Sequence, residues 1–210
     1  MEIVCLDLEG TLVPEIWIAF AEKTGIPQLR ITTREEPDYD KLMNYRMDIL
    51  REHHLTLKDI QDVIATIKPM DGALEFLNKV REITQVVILS DTFKEFASPL
   101  MRQLGWPTIL CNSLKIDNDN MLTGITLRQT DGKRKAIEAF RSINYRTFAA
   151  GDSYNDLTMI HAADAGCLFR APQKILEEEP DLKICNTYDE FYQQIKNFVD
   201  NSEVKRLQRF

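Results

Sequence analysis

The sequence predicts an α/β protein in which a parallel β-sheet is sandwiched by helices and carries an inserted helical segment. Short apolar runs that read as strands alternate with helical patterns over most of the chain. These runs are apolar throughout, as is typical of parallel strands that are buried on both faces. Residues 13–69, in contrast, contain helical patterns only. We therefore expect a core made of residues 1–12 and 71–210 and a helical cap at residues 13–70.

The first third of the chain supplies one strand and three helices. Residues 3–6 are apolar and predict a buried strand, which ends before a turn at Gly10. Start and stop signals then bound three helices. They are expected at residues 15–23, at residues 38–53, and from the capping-box residue Thr56 to Pro69.

The rest of the chain alternates between strands and helices. Apolar runs predict strands at residues 86–89, 108–110, 146–150 and 166–169. Helical patterns surround these strands, and two further helices are expected after the last one. Residues 114–128 predict a hairpin with a polar tip, whose exposed edge is a candidate surface for a homodimer.

The composition limits the classes of partner. The chain has 210 residues, a net charge of −7 and 44% hydrophobic residues. An acidic protein is a poor match for nucleic acid or an anionic membrane surface. We see no secretory signal and no apolar run of membrane-spanning length, so we expect a cytoplasmic protein. The four cysteines are widely spaced and the three histidines lack metal-ligand spacing, which argues against a zinc site.

Polar and acidic residues follow three of the predicted strands. They are Asp7 and Glu9 after the first, Ser90 and Asp91 after the second, and Asp152, Asn155 and Asp156 after the fourth. Each has an ordinary alternative role, as a turn residue, a helix cap or an acid that the helix dipole favours. Because parallel strands end at the same edge of a sheet, we expect these groups to share one crevice.

Such a cluster of carboxylates requires a cation, and hard oxygen ligands select Mg²⁺. Lys133 lies just before a predicted helix, where a solvated lysine is the ordinary case. Near Ser90 it would instead neutralise a bound phosphate.

These motifs, in this order, resemble those of the haloacid dehalogenase-like hydrolases. The matching segments are Asp-Leu-Glu-Gly-Thr at 7–11, the strand ending in Ser90, Lys133 before a helix, and Gly-Asp-Ser-Tyr-Asn-Asp at 151–156. The helical insertion after the first motif is similar to that of the phosphoserine phosphatase branch. Within this branch, the chain most resembles the bifunctional phosphoserine phosphatase and homoserine phosphotransferase family. The resemblance implies a Rossmann-like core and a cap that selects the substrate.

The resemblance also implies a role for each motif residue. Asp7 would be the nucleophile that forms an aspartyl-phosphate, and Glu9 the general acid and base. Mg²⁺ would be held by Asp7, Asp152 and the backbone carbonyl of Glu9. The remaining residues would bind the substrate and its phosphoryl group (Ser90, Asp91, Lys133 and Asn155) or orient the metal ligands (Asp156). The related phosphatases usually carry Asp at the position of Glu9, so the extra methylene moves the carboxyl by ~1 Å, enough to affect the rate.

Arg46 is the candidate for substrate selection. It falls in the middle of the apolar arc of its helix, where it could reach solvent, pair with an acid such as Glu15, or bind a substrate carboxylate in bidentate fashion. The resemblance places the carboxylate-binding arginine here and assigns Glu15 to the substrate's ammonium group. An acid and an arginine over a phosphate site describe O-phospho-L-serine.

Three functions fit these residues. The first is a phosphoserine phosphatase that uses water, with homoserine as an additional phosphoryl acceptor. The second is a phosphatase for another small metabolite, such as a sugar phosphate. The third is a non-catalytic phospho-acceptor module, because receiver domains also combine an acid cluster with a hydroxyl residue and a lysine.

Overall fold

A seven-stranded sheet forms the centre of the protein. The computed structural model describes residues 1–32, 35–36 and 38–207. The strands are β1 (Glu2–Leu6), β2 (Gln85–Phe93), β3 (Thr108–Ile116), β4 (Leu122–Thr126), β5 (Arg146–Gly151), β6 (Ala165–Phe169) and β7 (Lys183–Cys185). Their order is β4-β3-β2-β1-β5-β6-β7, and all neighbours are parallel except β3 and β4. The predicted α/β class is confirmed.

Helices cover both faces of this sheet. Successive residues of β1 point to opposite faces, so Val4 and Leu6 belong to one apolar cluster while Ile3 and Cys5 belong to another. The helices are α1 (Ile16–Thr24), α2 (Tyr39–Glu52), α3 (Leu57–Ile64), α4 (Ala73–Ile83), α5 (Lys94–Gln103), α6 (Gly132–Ser142), α7 (Tyr154–Ala162), α8 (Gln173–Glu178) and α9 (Tyr188–Leu207), with a 3-10 helix at Pro27–Arg30. Burial of both faces explains why the strands are apolar throughout.

The segment 13–70 holds α1, the 3-10 helix, α2 and α3, and its described residues include no strand. Thr56 and Asp59 form the expected capping box at the start of α3. Hydrogen bonds attach this segment to the rest of the protein. Gln61 Nε2 donates to the carbonyl of Glu95 at 2.9 Å, and the backbone N–H of Leu57 donates to Asn120 O at 2.8 Å. The segment is therefore anchored on α5 and on the turn between β3 and β4.

The structure differs from the sequence predictions at several element boundaries. β7 is an additional strand of three residues at the edge of the sheet, too short to show a periodic pattern. β2 continues through residues 90–93, so Ser90 and Asp91 lie in the strand and not after it. α6 begins at Gly132, which places Lys133 in its first turn. Tyr45 is exposed, although helical periodicity predicts it on the same apolar arc of α2 as Arg46.

The helix α9 packs against α4 and against β1, β6 and β7, and its first residue, Tyr188, lies close to the first loop. Tyr188 stacks on Phe76 and Phe169, with ring centroids 4.9 and 5.0 Å apart. Its hydroxyl donates a hydrogen bond of 2.7 Å to the carbonyl of Thr11. The predicted core segment runs to residue 210, and its last three residues lie outside the described ones. Within the described chain, none of the helices combines the length and apolar character needed to span a membrane.

Candidate active site

The register of the central strands brings the predicted site residues together. Leu6 of β1 pairs with Ile88 of β2 on one side and with Ala150 of β5 on the other. Asp7 follows this row by one residue, and Ser90 and Asp152 follow it by two. Because the three strands are parallel, these side chains leave the sheet at the same edge. The predicted crevice thus follows from strand pairing alone.

The side chain of Lys133 lies at the centre of this crevice. Its Nζ donates to Asp7 Oδ1 at 2.8 Å and to Asp156 Oδ1 at 2.7 Å, and all three residues are buried. The carboxylate of Asp91 lies 3.9 Å from the same nitrogen. Ser90, the expected neighbour of Lys133, is buried and its Oγ accepts the Thr92 N–H at 3.2 Å. Lys133 therefore holds the predicted nucleophile in place.

Asp156 is saturated with hydrogen bonds. One oxygen accepts from Lys133, and the other accepts from the N–H groups of Asp152 and Ser153 and from Ser153 Oγ, each at 3.0 Å. The side chain is fully buried. Gly151 makes room for it, since a Cβ there would lie 2.6 Å from Asp156 Cβ. Asp156 thus fixes the loop that carries Asp152 and orients Lys133.

The cluster carries more negative charge than its lysine neutralises. Asp7, Asp152 and Asp156 each offer an oxygen, and these oxygens lie within 4.8 Å of one another. Burial and the charge of Asp156 hold the pKa of Asp7 above its ordinary value, against the effect of Lys133. Burial, Asp156 and Glu15 raise the pKa of Asp152 to about 7. Three carboxylates facing one ammonium group fit a bound divalent cation, which would relieve this repulsion.

Lys133 remains charged in this setting. Burial opposes its ionisation, but the carboxylates of Asp156, Asp7 and Asp91 outweigh that effect and raise its pKa. Because Asp156 already uses both oxygens, Asp7 and Asp152 are the carboxylates with capacity for a metal ion.

Gly10 allows Asp152 to reach this position. Its φ is +73°, in the left-handed region, and a Cβ at this position would lie 2.7 Å from Asp152 Oδ1. Real Cβ contacts are essentially never shorter than 3.0 Å. The first loop and the loop after β5 therefore meet at a point where only glycine fits.

Glu9 points toward the start of α1. Its Oε2 accepts the backbone N–H of Ile16 at 2.8 Å. Burial and the nearby charge of Glu15 raise its pKa to about 7, against the opposing effects of the Ile16 N–H, Lys133 and Arg46. A carboxyl with this pKa can both give and accept a proton near neutral pH. The assignment of Glu9 as the acid and base stays a prediction.

Asp91 and Asn155 form the rim of the crevice. Asn155 Nδ2 donates to Asp91 Oδ2 at 3.2 Å. The backbone carbonyl of Asp91 accepts from Asn112 Nδ2 at 3.0 Å and from the hydroxyl of Tyr39 at 3.4 Å. Tyr39 lies at the start of α2, so this last contact links the helical segment to β2. Asp91 therefore lies close to Lys133 and contacts α2, and Asn155 is joined to this region through Asp91.

Arg46 is buried without an acidic partner. The residue is 5% exposed, and among the described residues no carboxylate lies within 4.0 Å of its guanidinium. Nη2 donates to the carbonyl of Ile31 at 2.7 Å, while Nε has no hydrogen-bond acceptor within the described chain. Burial lowers its pKa to about 10. Glu15, the N-cap residue of α1, is exposed and forms no ion pair with Arg46, so that alternative is wrong.

Sequence reasoning missed three residues of this region, namely Tyr39, Asn112 and Trp17. Tyr39 lies seven positions before Arg46 on α2 and therefore on the same helix face, which is the one signal that could have identified it. Asn112 sits in β3, and its role depends on the irregular pairing between β2 and β3. Trp17 lies under Arg46 through a contact between two helices, which a single sequence does not reveal.

Comparisons with known proteins agree with this geometry. The family model described as "Hydrolase: haloacid dehalogenase-like hydrolase" matches residues 1–164. Phosphoserine phosphatase ThrH of Pseudomonas aeruginosa is 60% identical over 190 residues, which cover 90% of this chain and 93% of that protein. Phosphoserine phosphatase of Pseudomonas syringae pv. tomato is also 60% identical, over 90% of this chain and 80% of that protein.

Solved structures agree on the fold. The crystal structure of phosphoserine phosphatase from T. onnurineus has a TM-score of 0.70 and 22% identity, and the match covers 93% of this chain and 94% of that one. The order of the strands, the acid cluster around Lys133 and the family-model match lead to one conclusion. The chain belongs to the haloacid dehalogenase-like hydrolase family.

Proposed function

We propose that this protein is a Mg²⁺-dependent phosphatase that hydrolyses O-phospho-L-serine to L-serine and phosphate. The observation that carries the chemistry is a buried carboxylate, Asp7, fixed by Lys133 beside a second carboxylate, Asp152. The observation that supports the substrate is Arg46, a buried guanidinium that pairs with no acid in the described part of the chain. The relatives at 60% identity are named phosphoserine phosphatases.

The proposed reaction proceeds in two displacements on phosphorus. An oxygen of Asp7 attacks the phosphorus, the bond from phosphorus to the serine oxygen breaks, and Glu9 gives its proton to the departing oxygen. Water then attacks the aspartyl-phosphate, Glu9 takes up the water's proton, and phosphate leaves while Asp7 is restored. Lys133 and Ser90 would bind the non-bridging phosphoryl oxygens, and Asn155 and Asp91 would line the entrance.

Mg²⁺ would be held by Asp7, Asp152 and the backbone carbonyl of Glu9, and when bound it would neutralise charge on the phosphoryl oxygens. Asp156 would keep these groups in position through its hydrogen bonds to Lys133 and to the loop that carries Asp152. Arg46 would bind the substrate carboxylate, and Glu15 its ammonium group. The helical segment 13–70, which carries both residues, would act as the cap that selects the substrate.

The test measures phosphate release from phosphoserine, a sugar phosphate and p-nitrophenyl phosphate, with and without Mg²⁺. We expect fast, metal-dependent release from phosphoserine and none from the Asp7→Asn variant. Equal rates for all substrates would favour a phosphatase of another specificity. A long-lived aspartyl-phosphate without turnover would favour a phospho-acceptor module.

Homoserine would be a second acceptor for the phosphoryl group, because the same aspartyl-phosphate can react with a hydroxyl other than that of water. Adding homoserine to the phosphoserine reaction should yield phosphohomoserine. If no phosphohomoserine forms, the activity is limited to hydrolysis. A homodimer formed through the edge strand β4 is a separate proposal, which analytical ultracentrifugation would test.

A further inference from the structure

The buried guanidinium of Arg46 packs against the ring of Trp17, whereas a buried guanidinium is ordinarily paired with an acid. The guanidinium carbon lies 4.4 Å from the centroid of the Trp17 ring. Among the described residues, the guanidinium's other hydrogen bond, besides the one to the Ile31 carbonyl, runs from Nη1 to the thioether of Met43 at 3.7 Å, and sulfur is a weak acceptor. The ring lies against the guanidinium, and the Ile31 carbonyl accepts from one of its edge donors. Together they restrict its orientation, while the Nε–H has no acceptor among the described residues.

Trp17 is itself fixed from the side of the phosphate site. Its ring packs edge-on against Phe96, with centroids 5.4 Å apart, and Phe96 packs edge-on against Phe93 at 5.7 Å. Phe93 is the last residue of β2, the strand that also carries Ser90. A continuous series of rings therefore connects the guanidinium on α2 with the strand that would bind the phosphoryl group.

We propose that Trp17 is a positioning residue that sets the distance and orientation between the carboxylate site at Arg46 and the phosphate site at β2. This inference rests on the proposed function, because it takes the ligand of Arg46 to be the carboxylate of a phosphoamino acid. A planar guanidinium binds a carboxylate well only when its donors are aimed at both oxygens. Trp17 keeps them aimed before the substrate arrives, so less ordering is required on binding.

The test compares two substrates that differ in one group. O-phosphoethanolamine has the phosphate and the ammonium group of phosphoserine but no carboxylate. In Trp17→Leu we expect kcat/KM for phosphoserine to fall about tenfold, mainly through KM, as the loss of a desolvated cation–π contact predicts. The value for phosphoethanolamine should stay within about twofold, and Trp17→Phe should recover most of the loss. Trp106→Leu, the same change at a residue that is 62% exposed, should affect neither substrate.

A double-mutant cycle isolates the effect that passes through Arg46. In the Arg46→Met background, Trp17→Leu should produce no further loss on phosphoserine, because the group that it positions is gone. Equal losses on both substrates, or additive losses in the cycle, would overturn the inference and leave Trp17 as a packing residue. The wild type distinguishes this outcome from failure of the proposed function, in which phosphoserine itself would not be hydrolysed.

Fluorescence offers a second measurement that does not require Trp17→Leu to fold. The chain has two tryptophans, so the variant Asp7→Asn/Trp106→Phe would emit from Trp17 alone and bind substrate without turnover. Phosphoserine should change this emission, and phosphoethanolamine should change it much less. An identical response to both ligands would contradict the inference.

Discussion

Replacing Gly10 by alanine should strongly reduce the catalytic activity and lower the stability of the fold only modestly. The added Cβ would lie 2.7 Å from Asp152 Oδ1, and ordinary contact begins only at 3.4 Å, so the carboxylate must move. A displacement on the order of 1 Å in such a site costs about a hundredfold in rate. We therefore expect kcat/KM on phosphoserine to fall by about two orders of magnitude, and the Mg²⁺ concentration that gives half-maximal activity to rise.

The stability cost of this change comes from the backbone. The φ of +73° at Gly10 disfavours a side chain by roughly 1–2 kcal/mol, which lowers Tm by about 2–8 °C in a chain of this size. Gly25 is a matched control, because its φ is +70° and a Cβ there would meet nothing within 4 Å. Gly25→Ala should lose similar stability but keep its activity.

Steady-state phosphate release and thermal unfolding of the two variants distinguish the effect of backbone strain from that of the contact with Asp152. If Gly25→Ala loses as much activity as Gly10→Ala, backbone strain alone explains the loss and the contact with Asp152 is irrelevant. Near-normal activity in Gly10→Ala would refute the reasoning outright. Gly151→Ala is a further variant, at a glycine whose backbone is not in the left-handed region. Its added Cβ would collide with Asp156, so this variant should also be inactive.

Three further predictions concern the charged residues and the helical segment 13–70. In metal-free protein, Glu9 alone should lower the free energy of unfolding by roughly 2 kcal/mol as pH rises from 4.5 toward 7, because the folded state keeps a proton on this partly buried carboxyl that the unfolded chain loses. Glu9→Gln should remove this component when Tm is compared at about pH 5 and about pH 7.5 with a chelator present. Lys133→Met should abolish phosphate release and cost roughly 3–5 kcal/mol in urea unfolding, since it strands buried carboxylates, whereas Lys135→Met on the same helix should cost little. Tyr39→Phe should change kcat/KM by no more than about threefold, because its 3.4 Å hydrogen bond to Asp91 is at the long limit; a larger loss would mean that the hydroxyl binds substrate.

The sequence could predict the core of the site because strand pairing decides it. Asp7 and Asp152 follow apolar strands, and parallel pairing places the ends of such strands together regardless of the details of packing. The sequence could not predict that Lys133 would bond to Asp7 and Asp156, because a lysine side chain can reach several neighbours. Its position in the first turn of α6 depends on Gly132 entering the helix.

The contacts of the helical segment were less predictable for a related reason. Hydrophobic periodicity shows which face of α2 is buried, and it correctly placed Arg46 on that face. It does not show what packs against the face, so the contact of Arg46 with Trp17 and the hydrogen bond from Tyr39 to β2 had no counterpart in the pattern. Likewise β7 pairs with β6 through three residues, and a segment of that length has no period to detect.

The hydrogen bond from Tyr188 to the Thr11 carbonyl has a consequence for how the protein is made. It joins positions 177 residues apart, and β1, the strand before Thr11, lies in the sheet between β2 and β5. During synthesis β1 therefore pairs with its second neighbour only after residue 151 has emerged, and the loop that follows β1 contacts α9 later still. A nascent chain would complete the contacts of this loop only after residue 188 has emerged, and contacts of such long range make folding slow.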